Sequence, residues 1–168
     1  MALAVSSICS VKATLTGAAT TFGTPTFVDP TIPAARDFTD GTGNFQAQKL
    51  YVSAARTLSA SANETLDLAG GLTDPLGATL TFTVIKGIYI EAASGNTNDV
   101  VIGNATSNGF TGPFGATTHT IAVKPGGKLF LEAPNTGWTV TAGTGDILKV
   151  LNGGSGTSVS YDIKIWGY

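Results

Sequence analysis

The stretch from residue 80 to residue 92 carries the longest alternation of apolar and polar side chains in the chain. Apolar residues fall on one parity and mainly threonines on the other: Leu80, Phe82, Val84, Ile88, Ile90 and Ala92 against Thr79, Thr81, Thr83 and Glu91. A period of two is typical of a strand with one apolar face. Ile85 and Tyr89 interrupt the polar face, which predicts cover on both sides, and Gly87 predicts a bulge or bend.

Shorter apolar runs follow at strand-like spacing, separated by turns rich in Gly, Pro and Asn. They predict strands over 49–58, 64–68, 99–103, 119–123, 128–132, 138–141, 146–151 and 159–166. Many short strands without a helical period between them indicate an all-β sandwich or barrel. Connections of unequal length favour a jelly-roll-like antiparallel β-sandwich. An immunoglobulin-like sandwich is the alternative, although the chain lacks the Cys and Trp spacing of that fold.

The first 46 residues differ from the rest, so the chain is divided into an extended, irregular N-terminal arm (1–46) and a β-sandwich domain (47–168). Residues 1 to 11 could form a short strand. From residue 13 to residue 46 the arm is rich in Thr, Gly, Pro and Ala, and proline favours extended backbone. Aromatic residues are not needed in a solvated linker. We expect the arm to order against a neighbouring subunit, or alternatively to fold back on its own core. The candidate partner-interface residues are Phe22, Phe27, Pro30, Pro33, Phe38 and Phe45.

Composition narrows the choice of partners. Only 12% of the residues are charged and the net charge is −2, so a basic surface for nucleic acid is not expected. No apolar run approaches the roughly 20 residues of a membrane-spanning helix. Low charge and a mean hydropathy of +0.23 fit an exterior of small residues that packs against other subunits, or simply a lightly charged domain.

Lone Cys9 forms no internal disulfide. Because no basic residue precedes the mildly apolar start, a signal peptide is not expected and the chain is interpreted as made in the cytosol.

The sequence predicts no catalytic residue and no cofactor. His119 is the single histidine, and no glycine-framed serine resembles a nucleophile elbow. One histidine and one cysteine cannot form a zinc site. A glycosidase requires two facing carboxylates, and the chain has three glutamates, Glu64, Glu91 and Glu132, whose neighbours the sequence does not reveal.

Two further binding chemistries stay open. Short acidic and amide clusters at 37–41 and 96–99 resemble partial calcium ligand sets, although Asx turns explain both. Trp138 and the loop 104–117 are candidates for stacking on a host glycan, with burial of Trp138 and Trp166 in the core as the alternative.

Several blocks of strand and turn residues, taken together, resemble the small β-sandwich virion proteins of tailed phages. They are 66–74 (LDLAGGLTD), 84–88 (VIKGI), 101–103 (VIG), 125–127 (PGG), 133–138 (APNTGW) and 163–167 (IKIWG), and the resemblance spans residues 64 to 167. Within that group the nearest roles are those of capsid cement or decoration proteins. No functional residue is carried over, because none of these blocks matches a motif with an assigned role.

The resemblance implies a structural, non-enzymatic bacteriophage protein on the capsid exterior, made in the host cytoplasm. It would be a homo-oligomer, commonly a trimer of sister subunits, that binds the major capsid protein and stabilises neighbouring capsomers. Multivalent contact would turn weak patches into high avidity. The alternative function is that of a tail or fibre adhesin with a glycan-binding β-sandwich.

Overall fold

The structure, a computed structural model, describes residues 2–10, 13–19, 21, 24, 26–28 and 34–168. Within these residues the chain is all-β. Its fifteen strands are β1 Val5–Cys9, β2 Thr14–Thr16, β3 Thr26–Val28, β4 Ala34–Phe38, β5 Lys49–Leu58, β6 Asn63–Asp67, β7 Ala69–Thr73, β8 Thr79–Thr81, β9 Val84–Ala92, β10 Val100–Gly103, β11 Thr120–Val123, β12 Lys128–Glu132, β13 Trp138–Thr139, β14 Ile147–Asn152 and β15 Val159–Gly167.

Two larger antiparallel sheets contain most of these strands. One has the order β12-β9-β15-β5, with β13 also paired to β9, and the other has the order β11-β10-β14-β6. The pairings are nested along the chain, because β5 and β6 pair with β15 and β14 while β9 and β10 pair with β12 and β11. The all-β sandwich prediction is confirmed, and this nested order is compatible with the jelly-roll connection.

The main hydrophobic core lies between the two sheets. Side chains of one parity on β15, such as Tyr161, Ile163 and Ile165, pack there together with Ile102 and Val150 of the opposite sheet. Ile163, Ile165 and Val150 are fully buried. The period of two seen in the sequence therefore corresponds to one core-facing side of each strand.

The predicted central strand is divided in the structure. Its first part is β8, which pairs with β7, and its second part is β9. The register between β9 and β15 shifts after the Trp166–Gly87 pair, since Gly167 pairs with Ile85 and leaves Lys86 unopposed. The bulge predicted beside Gly87 is thus present. The split at Phe82 arises because the amide of this residue donates to Leu68 while the next two amides donate to Tyr168.

The N-terminal arm differs from the irregular segment predicted from sequence. Its described residues form two short antiparallel ladders, β1 with β4 and β2 with β3. β1 falls within residues 1 to 11, where a short strand was expected. The strands β2, β3 and β4 were not predicted, because their segments lack an alternating apolar face, and the partner of β1 is distant in sequence. The β1–β4 ladder lies against the outer face of the sheet that contains β9 and β15.

Candidate partner-binding surface

A second hydrophobic cluster joins the arm to the outer face of the β12-β9-β15-β5 sheet. Trp166 has the outward parity on β15, yet it is buried because Phe38 of the arm covers it. The ring centroids of Phe38 and Trp166 are 6.1 Å apart in an edge-to-face arrangement, and Phe130 lies 6.0 Å from the same indole. Phe38 therefore holds part of the arm against its own domain, the alternative arrangement considered from sequence.

Polar contacts reinforce this attachment. The guanidinium of Arg36 on β4 lies 3.0 Å from the carboxylate of Glu132 on β12, and the hydroxyl of Ser7 on β1 donates a hydrogen bond to the same carboxylate. Ser7 and Glu132 are both largely shielded from solvent. Both strands of the β1–β4 ladder are thus fixed to one edge strand of the sheet.

A groove of about 800 Å³ lies between β1 and the outer face of the sheet. Every residue from 4 to 10 lines one side of it, while Val52, Tyr89 and Lys164 contribute to the sheet side. Among the described residues, β1 pairs with β4 alone. The groove is therefore bordered by a strand whose second edge is unpaired, which is a template for a further strand.

Two of the charged side chains on the groove floor form an ion pair. The ammonium of Lys128 lies 3.3 Å from the carboxylate of Glu91, and Tyr89 donates a hydrogen bond to that carboxylate. Hydrogen bonds from Tyr89 and then Lys128 hold the pKa of Glu91 below its usual value, while the bond to Glu91 raises the pKa of Lys128. The ammonium of Lys164 lies 5.8 Å from the centroid of the Tyr89 ring.

Two carboxylates occupy neighbouring positions in this groove, since Asp162 is the cross-strand partner of Glu91. Glycoside hydrolysis requires one carboxyl of such a pair to act as a general acid with a raised pKa. Glu91 has the opposite shift, and one oxygen of Asp162 accepts the amide of Ala55 at 2.7 Å. The arrangement suits charge neutralisation rather than proton donation by Glu91.

Phe45 lies on the loop between β4 and β5 with left-handed backbone, φ 54°. Its amide donates to Pro134 at 2.9 Å and its carbonyl accepts from Thr39 at 3.0 Å, so both ends of the residue are held. The ring is 39% exposed and stacks with the guanidinium of Arg36, which lies 5.9 Å from its centroid. A large residue in this conformation costs about 1–3 kcal/mol, and such strain is concentrated at functional positions.

The predicted interface residues have different positions in the structure. Phe38 is buried within the chain and Phe45 is exposed, as described above. Phe27 is opposite Leu15 in the β2–β3 ladder, and its side chain lies outside the described part of the chain. Phe22, Pro30 and Pro33 also lie outside the described residues.

Other exposed apolar residues of the arm were missed by the sequence reasoning. The described part of the chain exposes six large hydrophobic side chains, and four of them lie in the arm: Ile8 66%, Leu15 71%, Val28 48% and Phe45 39%. The other two are Val52 and Leu76. Only the solvent exposure distinguishes Leu15 from an ordinary strand residue, so the sequence contained no signal that marks it.

A polar network bridges the two sheets of the sandwich. Arg56 on β5 forms a bidentate ion pair with Glu64 on β6, and the hydroxyl of Tyr161 donates to Glu64 at 2.7 Å. Burial alone would raise the pKa of Glu64, but the hydrogen bonds from Arg56 and Tyr161 outweigh it and leave this pKa below its usual value. Burial, followed by the bond to Glu64, raises the pKa of Tyr161. Because every member is engaged by another, the network stabilises the sandwich.

The calcium candidates are engaged in hydrogen bonds within the chain. Asp40 accepts the amide of Leu3 at 3.1 Å, and Asp99 pairs with Lys124 at 2.6 Å. Asn98 donates to Asn152 at 3.0 Å. The described residues contain no group of three or more His, Cys, Asp or Glu side chains placed to hold a metal ion.

The glycan candidates pack internally. Trp138 is half-buried and contacts the main core, and Phe110 and Phe114 of the loop 104–117 are buried there as well. His119 donates from Nδ1 to the carbonyl of Phe114 at 2.6 Å, which fixes the end of this loop. These aromatic rings are occupied in packing and do not form an open stacking surface.

The described part of the chain has no helix with the length and apolarity needed to span a membrane. Comparisons of the chain with models of protein families, with curated proteins and with solved structures find no match.

Proposed function

We propose that this chain is a bacteriophage virion structural protein, a jelly-roll-like capsid cement or decoration protein. It binds the outer surface of the head through the major capsid protein and stabilises neighbouring capsomers as a homo-oligomer, in which sister subunits form a trimer. The proposal is supported by the resemblance of residues 64 to 167 to small virion proteins, and by a compact sandwich that presents an apolar arm.

The main support for this proposal is the uneven distribution of exposed apolar side chains along the chain. The arm comprises 46 of the 168 residues, yet it holds four of the six large hydrophobic side chains exposed in the described part of the chain. Exposed apolar patches mark surfaces that bind other proteins, and these four side chains lie in one segment of the chain. A division between a stable domain and an adhesive segment suits a cement protein, because its activity is contact with other subunits.

The test is binding of purified protein to heads that lack it, followed by sedimentation and by thermal release of the packaged genome. A matched variant replaces residues 10–33 with a two-residue Asn-Gly turn, which is a favoured hairpin connection. This replacement is feasible because Cys9 and Ala34 are paired partners. It keeps β1, β4 and the cover over Trp166, whereas deletion of the whole arm would expose the second hydrophobic cluster.

We expect the full chain to bind heads in many copies and to raise their thermal stability, and the turn variant to bind at least tenfold more weakly. Leu76→Ser, which changes an exposed apolar residue outside the arm, serves as the control and should bind normally. Failure of the full chain to bind heads, or its presence only in a few copies at the tail, would overturn the proposal.

A further inference from the structure

The β2–β3 ladder presents apolar surface without the cover that such a ladder needs. All three residues of β2 are exposed, with Leu15 at 71% and Val28 of β3 at 48%. A two-stranded ladder is marginally stable in water, and three or more strands or a packed face are required for independent stability. The ladder therefore needs an additional strand or surface.

The groove beside β1 offers both a strand edge and a surface for this ladder. Among the described residues the second edge of β1 has no partner strand, so it can supply backbone donors and acceptors, and Ile8 on this strand is 66% exposed and lines the groove. Two strands of three residues occupy roughly 10 Å in each direction, given the spacings of strands and sheets. The volume of such a two-stranded ladder is therefore comparable to the 800 Å³ of the groove.

The two surfaces also match in charge. Residues 13–28, which include the ladder, contain no charged side chain. The groove lining carries two carboxylates, Glu91 and Asp162, and two ammonium groups, Lys128 and Lys164, so its formal charges balance, and Glu91 and Lys128 lie 3.3 Å apart. An uncharged threonine-rich strand can enter a groove of balanced charge without disturbing that balance, whereas a charged peptide would add a net charge to it.

We infer that the groove of one subunit receives the β2–β3 ladder of a second copy of this chain, one strand of which adds to the free edge of β1. The result is a four-stranded antiparallel or mixed sheet formed from two marginal ladders. Because ladder and groove are different surfaces, the contact is heterologous, and it forms a ring when the rotation between subunits closes, as the proposed trimer requires. The inference names the sister-subunit contact of the proposed cement protein, and rests on that function only for its biological setting.

The experiment measures the mass of the full chain in solution by light scattering over a range of concentrations, without heads. Leu15→Asp places a charge in the ladder, and Leu76→Asp is the control at an equally exposed residue of the sandwich. We expect the natural chain to form a ring and the Leu15→Asp variant to associate at least tenfold more weakly. The Leu76→Asp control should associate as the natural chain does. Equal melting temperatures of the two variants at low concentration would show that both fold.

A second measurement uses Cys9, the single cysteine, which is exposed and lines the groove. A Cys9→Ser/Thr16→Cys variant is mixed with the natural chain under mild oxidation, and Cys9→Ser/Leu76→Cys is the control. Preferential disulfide formation with Thr16→Cys supports the inference. A monomeric natural chain, or an oligomer that Leu15→Asp leaves intact, overturns it. If the natural chain is a monomer that still binds heads, only this inference is overturned. If it forms a ring that does not bind heads, only the proposed function is overturned.

Discussion

The indole ring of Trp166 lies directly over Gly87, its cross-strand partner in the sheet. A Cβ atom at position 87 would overlap the six-membered ring of this indole. Glycine at this position therefore allows Trp166 to lie flat on the outer face, where Phe38 of the arm then covers it. The bulge at Lys86 and the attachment of the arm depend on the same close approach.

Substitution of Gly87 is expected to destabilise the fold. Gly87→Ala should lower the free energy of unfolding by about 1–3 kcal/mol or more, because a rigid ring and a strand backbone must move apart. Gly95→Ala is the matched control, since a Cβ at position 95 meets no atom within 4 Å. Chemical denaturation of both variants checks the prediction, and equal stability of the two would contradict it.

Substitution of Ala55 by glycine is expected to stabilise the fold. Ala55 lies with φ 53° in the bulge of β5, where two residues oppose Asp162 of β15. Left-handed backbone costs roughly 1–2 kcal/mol for a residue with a Cβ, whereas glycine adopts it freely. Ala55→Gly should therefore raise the free energy of unfolding by about 0.5 kcal/mol, after the greater chain entropy of glycine is deducted.

The neighbouring Ala54→Gly variant is the control for this prediction. Its backbone is not left-handed, so it should lose about 0.5–1 kcal/mol through the entropy of glycine alone. The two substitutions change the same atoms, and their opposite signs would be read from urea midpoints. A loss of stability in both variants would show that Ala55 is not strained.

The Arg56–Glu64–Tyr161 network predicts sensitivity to acid. Glu64 has a lower pKa in the folded protein than its usual value, because hydrogen bonds from Arg56 and Tyr161 outweigh the effect of burial. Its stabilising contribution is complete above the unfolded pKa of about 4.3 and is lost as the pH falls through the lower folded pKa. Glu64→Gln should cost about 2 kcal/mol near neutral pH, as expected for hydrogen bonds to a charged group.

The difference between the natural chain and Glu64→Gln should therefore shrink as the pH is lowered from 7 to below 4. Glu91→Gln on the solvent-exposed groove floor is the comparison, and its effect should be much smaller because solvent screens that pair. Denaturant titrations at several pH values measure both differences. A Glu64→Gln effect that does not depend on pH would contradict the assignment.

Substitution of Phe45 is expected to affect head binding more than the stability of the fold. Phe45→Gly relieves the left-handed strain of about 1–2 kcal/mol, which offsets the lost contact of the half-exposed ring with Arg36 and the entropy of glycine. The free energy of unfolding should change by less than about 1 kcal/mol. If the ring contacts the capsid, however, head binding should fall at least tenfold. Normal binding by a stable Phe45→Gly protein would remove Phe45 from the interface.

The strands of the sandwich were largely predictable from the sequence. The predicted bounds of β5 and β12 coincide with those observed, since both have apolar runs bounded by clear turn residues. The bulge beside Gly87 was also predicted, because a glycine in the middle of a strand often marks a bulge or bend. In the arm only a short strand within residues 1 to 11 was predicted, since the other three strands lack an alternating apolar face and the pairing of β1 with β4 joins segments distant in sequence.

The candidate surface depends on tertiary contacts that no local pattern contains. Phe38 and Phe45 are the same residue type in the same arm, yet one is 1% exposed and the other 39%. Within the described residues, β4 pairs with one edge of β1 and leaves the other edge without a partner strand. The groove exists only because this ladder crosses part of the sheet.

The sequence by itself determined that the chain folds into antiparallel strands with one apolar parity, and where most of those strands begin and end. Only the tertiary structure decided what covers the opposite parity, as the burial of Trp166 beneath Phe38 shows. The physical reason is that a period of two depends on the backbone of a single strand, whereas the cover of its outer face depends on which distant segment packs there.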